Sequence, residues 1–291
     1  MPLTLPTRRW QGLAGLASAA LACNAAAHET GGGPVAPWPS DAPLWALQLL
    51  FAVAWGGYLF DAARARPPWR RAGLFHASLL LAAGVLFGPL DTWAAQSAAW
   101  HMAQHMLLIA LVAPLLVLAR PLATWRGAIG PAADRLWRPL ARASRRPMAC
   151  ALLHAVAVWF WHAPVPYVAA LGNTGLHVLE HASFLFTAWL FWWSVLRPGR
   201  AGLLQAALAL LFTATHTGML GALLTFAPVP LYGQAQGGLA GQQLAGLLMW
   251  VPGGILYLGA AMVAGFRWLA GLEQRSGLRG ASAAGVPARS A

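Results

Sequence analysis

The sequence predicts an all-α polytopic membrane protein, a bundle of seven transmembrane helices behind an N-terminal signal sequence. Three observations predict it. Hydrophobic residues make up 59% of the 291-residue chain and charged residues only 9%, where soluble proteins carry about 25% charged residues. The apolar residues gather into seven segments, each near the roughly 20 residues that a helix needs to cross a bilayer. The basic residues, all 19 of them arginine, cluster between alternate segments, the arrangement that orients membrane proteins.

The chain opens as a secretory signal. Arg8 and Arg9 form a basic n-region, Trp10 to Ala22 a short apolar core, and Ala25-Ala26-Ala27 a small-residue cleavage site. Residues 1–27 are therefore expected to be removed ahead of His28, with an uncleaved extra helix as the alternative. Ala20-Leu21-Ala22-Cys23 also resembles a lipoprotein processing site, with the leucine one place out of position. Residues 28–41, beginning with the run Gly31-Gly32-Gly33-Pro34, read as a periplasmic Gly/Pro-rich linker without helical period.

The seven apolar segments follow at 42–61, 71–90, 98–119, 148–170, 175–196, 202–226 and 240–268, and together they make the transmembrane domain 42–268. Pro114, Pro164 and Pro252 interrupt three of them, which neighbouring helices tolerate by re-satisfying the freed backbone groups. Residues 269–291 are expected to be a disordered cytoplasmic tail. Topology follows from the arginines. Four (64, 66, 70, 71) follow span one and seven lie between spans three and four. Arg197 and Arg200 follow span five, and Arg267, Arg275, Arg279 and Arg289 end or follow span seven. The loops after spans two, four and six contain none. A translocated N-terminus puts every basic loop in the cytoplasm, together with the C-terminus. The formal net charge of +12 is thus an orientation signal, and no nucleic-acid partner is expected.

This topology sorts the histidines by depth. His101 and His105 occupy the first two turns of span three, His162 lies toward the outer end of span four, and His177 and His181 open span five. His216 sits past the middle of span six, so six histidines from four helices share the outer half of the membrane. The pairs His101/His105 and His177/His181 have i,i+4 spacing, which places both imidazoles on one helix face and suits two ligands for one metal ion. Met102, Met106 and Met219 are close in sequence, and imidazole with thioether favours copper, Cu(I) in particular. Glu180 can orient an imidazole by accepting its other N–H. Asp91 ends span two on the outer side, and Gln242 and Gln243 begin span seven there. Asp91 and Gln243 are candidates for outer hydrogen bonds to the site.

Plainer readings stand beside these. A lone histidine in a membrane helix commonly hydrogen-bonds across an interface, which is the reading for His76 and His154. Methionines more often pack than ligate. Two pairs with His162 and His216 at matching depth go further, because intramembrane ionisable residues are costly and functional. Histidines on facing helices, such as His105 with His162, also suit a b-type haem in an electron-transfer protein. Cys23 and Cys150 make no disulfide framework and no Cys-x-x-Cys. The sequence lacks His-Glu-x-x-His, a phosphate-binding loop and Gly-x-Ser-x-Gly, and no enzyme activity is expected.

Longer stretches carry a resemblance. Trp100-His101-Met102-Ala103-Gln104-His105-Met106 continues into Leu107-Leu108-Ile109 and Ala113-Pro114-Leu115-Leu116-Val117-Leu118. With Trp161-His162-Ala163-Pro164, the His177/His181 pair, His216-Thr217, and Gln242-Gln243-Leu244-Ala245-Gly246 ahead of Met249-Trp250-Val251-Pro252-Gly253-Gly254, the chain resembles the CtaG family of cytochrome c oxidase assembly factors, the type associated with caa-type oxidases. The resemblance covers residues 42–268. It implies a seven-helix protein of the bacterial inner membrane that helps mature a haem-copper oxidase, with oxidase subunits, copper ion and the lipid bilayer as partners. One departure is visible: relatives often carry an acid just before the glutamine pair, where this chain has Gly241.

Overall fold

A computed structural model describes residues 42–129, 131–198 and 202–283; the expected signal peptide, the 28–41 linker and the last residues of the tail lie outside these. Among the described residues all regular structure is helical. The order is α1 (Ala42–Ala65), α2 (Trp69–Phe87), α3 (Pro89–Gln96), α4 (Ala98–Ala119), α5 (Pro121–Ile129), α6 (Pro131–Ala143), α7 (Pro147–His162), α8 (Pro164–Gly172), α9 (Thr174–Leu196), α10 (Leu203–Thr225) and α11 (Gly238–Ala283). Helices α3, α5, α6, α7 and α8 each open on proline, whose fixed φ suits the first helical position and whose missing N–H is not needed there.

Five helices are long and apolar enough to cross a membrane: α1, α2, α4, α10 and residues 238–274 of α11. The chain is a multi-pass membrane protein. The expected span at 148–170 is a broken one. Helices α7 and α8 meet at 70°, because Pro164 forces Ala163 out of the helical region, to ψ 143°. Counted as one span, this pair makes six. Helix α9 has the length, 23 residues, and carries His177, Glu180 and His181 in its first turns; it is not among the five. Helix α11 runs on to Ala283, so residues 269–283, expected to be irregular, are helical.

Pro114 leaves its mark on α4. Residues Leu108–Val112 form a single π turn, in which Ala113 N–H bonds to Leu108 O. The next bond in that register would run from residue 114 to Ile109 O, and proline has no N–H to give. The indole of Trp192 on α9 supplies it instead, at 2.8 Å. This bond joins the two helices that carry the paired histidines. Trp192→Phe leaves the buried Ile109 carbonyl bare and is expected to destabilise the protein by about 1–3 kcal/mol. Thermal denaturation in detergent checks this; an unchanged midpoint would mean that the carbonyl finds another donor.

The most extensive helix contact is α10 on α11. A Cβ on Gly246 would lie 2.6 Å from Gly221 O and 2.7 Å from Thr225 N, and one on Gly221 would lie 2.9 Å from Gly246 O. Two backbones touch here, as small residues permit in membrane bundles.

Candidate metal centre

Helices α4 and α9 both start at one end of the bundle and run toward the other. On α4, 19 residues separate His101 from Arg120, which at 1.5 Å per residue is about 28 Å. On α9 a similar length separates His177 from Arg197. The histidines and these arginines therefore lie about one hydrocarbon thickness apart.

At the first end the two i,i+4 pairs converge. Ring centroids are 4.4 Å apart for His101–His105 and 4.3 Å for His177–His181. Across the helices they are 5.4 Å for His101–His177, 5.1 Å for His105–His181 and 6.2 Å for His101–His181. Glu180 lies among them, with Oε1 3.6 Å from His105 Nε2 and Oε2 3.8 Å from His101 Nε2. Ligand atoms of His101, His177 and His181 lie within 4.8 Å of one another, and so do those of His101, His105 and Glu180. Nitrogens bound at about 2.0–2.1 Å to one tetrahedral ion sit roughly 3.3–3.4 Å apart, a spacing that the His105–Glu180 and His101–Glu180 pairs approach at 3.6 and 3.8 Å. His101, His105, His181 and Glu180 are buried, and His177 is half-buried.

The polar inventory of this cluster is incomplete. Glu180 is 0% exposed, yet neither carboxylate oxygen has a hydrogen-bond partner, and the same holds for both ring nitrogens of His105 and for Nε2 of His101 and His181. Buried polar groups are almost always paired, and a buried charge without a partner is very costly. Four imidazoles and a carboxylate in one cluster are a set of donors that could hold a cation.

Other residues fix the rings from outside. Gln236, held at φ 52° in the turn before α11, places Nε2 3.2 Å from His101 Nδ1 and 2.6 Å from Ala94 O, while Tyr167 donates to its Oε1 at 2.5 Å. Tyr167 stacks on the His101 ring at 5.5 Å and on Tyr232 at 3.8 Å. Gln104 Nε2 donates to Val85 O at 2.8 Å and to Asp91 Oδ1 at 3.0 Å, and Asp91 interacts electrostatically with His177. Asp91 thus joins the site through its rim.

The remaining candidates are sorted by geometry. His162 closes α7, 6.1 Å from His105 between ring centroids. Its Nδ1 donates to Val158 O at 2.8 Å, so Nε2 carries the lone pair, and it has no partner. A cavity of about 20 Å³, room for one water-sized occupant, is lined by His105, His162, Met102, Met106, Met249 and His154 among others. His216 is buried beside Phe212 and interacts electrostatically with His154, outside the cluster. Met219 is 53% exposed on the outside of α10. Gln243 donates to Ala227 O at 3.1 Å and Gln242 accepts from Leu231 N–H at 2.7 Å; both tie down the α10–α11 loop, and neither touches an imidazole. His76 accepts from the Trp55 indole at 3.0 Å, the interface role expected of it. His154 Nδ1 lies 2.9 Å from Thr187 Oγ1.

Sequence reading missed Gln104, Gln236 and Tyr167. Gln104 carried a signal, a polar side chain inside the first histidine pair. Gln236 and Tyr167 carried none, since they reach His101 from 135 and 66 positions away along the chain.

Residues 49–271 match the model of a family described as cytochrome c oxidase caa3 assembly factor (Caa3_CtaG). Among curated proteins and among solved structures nothing matches.

Proposed function

The chain belongs to the cytochrome c oxidase caa3 assembly-factor family, and from that premise we propose that it binds copper as cargo at the histidine cluster and aids its delivery to the oxidase. The observation that carries this reading is the bare, fully buried Glu180 carboxylate among four imidazoles. A copper ion held by neutral imidazoles brings net positive charge into a low-dielectric interior, where it needs a compensating anion. In this reading Glu180 supplies that anion. Imidazole ligands with Met102 and Met106 close by favour copper over hard cations. His101, His105, His177 and His181 are the proposed ligands, with His162 next in reach and Gln236, Gln104 and Asp91 holding the rings. His216, Met219 and Gln243 have no part in it. The role is one of binding and release, without catalysis.

The same proposal sets the protein in the bacterial inner membrane with seven spans. Helix α9 and the broken α7–α8 pair join the five apolar helices, the N-terminus is outside, and the arginine-bearing ends are cytoplasmic. The cluster then faces the outer side.

Detergent-purified protein is expected to hold copper and to show no haem absorption. Glu180→Gln keeps the shape and removes the charge, and is expected to weaken copper binding by roughly 10–100-fold, the size that outer partners of a metal site contribute. Titration with a Cu(I) chelator reads the affinity, and equal affinity in the two proteins would sink the role of the carboxylate. The rival haem reading rests on imidazoles from facing helices, such as His105 and His162, whose ring centroids lie 6.1 Å apart. A Soret band in the purified protein would favour it.

A further inference from the structure

A cavity of about 490 Å³ opens at the other end of the bundle, where α4, α5, α6 and α9 come together. Arg120, Arg138 and Arg197 line it, and no carboxylate does so among the described residues. Trp137, Trp189 and Trp193 supply much of its wall. Three guanidinium groups around one space repel each other unless an anion sits between them. Burial first, then the charges of Arg120 and Arg71, pulls Arg197 down to about 10.

Two further features mark the space as built for an acceptor. The indole N–H of Trp137 is buried and has no hydrogen-bond partner. Arg120 ends α4 at φ 53°, ψ 49°, a left-handed conformation uncommon for a side chain of this size. Arg197 donates to Val117 O, which uses one of its five N–H groups and leaves the others. The cavity therefore offers donors in excess, set in aromatic and aliphatic walls, about one hydrocarbon thickness from the histidines. A bilayer presents an anion at that depth as the phosphate of a lipid headgroup, with acyl chains beside it, and basic clefts between membrane helices bind such headgroups.

We propose that this cavity binds the phosphate headgroup of an anionic phospholipid, with the lipid's chains lying along Trp189 and Trp193. The site stands apart from the histidine cluster and does not depend on the copper reading.

The test is native mass spectrometry of the full chain in mild detergent. Phosphatidylglycerol and phosphatidylcholine of equal chain length are titrated in turn, with inorganic phosphate as a separate ligand. The variants are Arg120→Gly, which removes a guanidinium and supplies the residue that fits a positive φ, and Arg120→Gly combined with Arg138→Gln. The intact protein is expected to retain phosphatidylglycerol over phosphatidylcholine by about tenfold or more. The double variant is expected to lose that preference while keeping its helix content and melting midpoint. Equal retention of the two lipids by the intact protein would overturn the proposal. So would a preference that survives in the folded double variant, or binding of inorganic phosphate with no lipid preference at all.

Discussion

In the His101→Ala/His105→Ala variant, copper retained by the purified protein is expected to fall from stoichiometric to background, and mature oxidase in the cell to fall with it. The expected loss in affinity exceeds the roughly 10–100-fold that removal of one outer partner gives, because two ligands leave the shell at once. Both imidazoles face Glu180, at 3.8 and 3.6 Å, so the variant also strands the carboxylate without its neighbours. It empties space rather than crowding it, and the Trp192–Ile109 bond deeper in the bundle is untouched. The folded state is therefore expected to persist, which a helical spectrum and a cooperative melt verify. Full copper in the folded variant, or normal oxidase copper in cells that carry it, would remove the cluster from the pathway. Loss of metal with normal oxidase would leave a protein that assists assembly by contact.

Gly246→Leu is expected to give the largest loss of stability. A Cβ at this position meets Gly221 O, Thr225 Oγ1 and Thr225 N at 2.6–2.7 Å, and two of those atoms are backbone, which cannot rotate aside. Overpacking costs typically about 1–3 kcal/mol and sometimes more, and here the two helices in most extensive contact must separate to relieve it. The same shift loosens Gln242 and Gln243 from the loop they hold, and with it Gln236 from His101. Copper affinity is expected to drop alongside the melting midpoint. Gly254→Ala is the control, since its Cβ meets nothing within 4 Å. Equal midpoints for the two variants would refute the close approach.

What could be seen in the sequence was whatever residue counting along one helix fixes. The i,i+4 spacing put His101 with His105 and His177 with His181, and the structure brings those four together around Glu180. Depth is likewise a matter of counting, which is why His162 and His216 looked equivalent. Facing direction is not, because it depends on which helices pack on which side. His216 turns toward Phe212 and His154, while His162 comes within one ring of His105. The Pro164 break was visible as a proline, but its 70° bend makes two helices of one apolar run. Gln236 was hidden in a Gly/Gln-rich turn, where only the fold brings its amide to His101. The polarity of the His177/Glu180/His181 turn is plain in the sequence, and it sets the first turns of α9 apart from the apolar length that follows.

That last feature bears on how the chain enters the bilayer. Charged side chains cost about 2.5–3.5 kcal/mol at mid-membrane on insertion scales, and less toward the ends of a helix. A segment that opens with two histidines and a glutamate partitions into lipid less readily than the helices before it. Its polar groups meet partners on helices made earlier in synthesis, His101 and His105 on α4 beside Glu180 and Asp91 on α3 with His177, so the first inserted helices act as the solvent for this one. In an insertion assay the isolated α9 segment is expected to integrate poorly, and Glu180→Leu is expected to improve it. The histidine cluster thereby couples biogenesis to the proposed function: the helix that holds half of it depends on the other half to stay in the membrane.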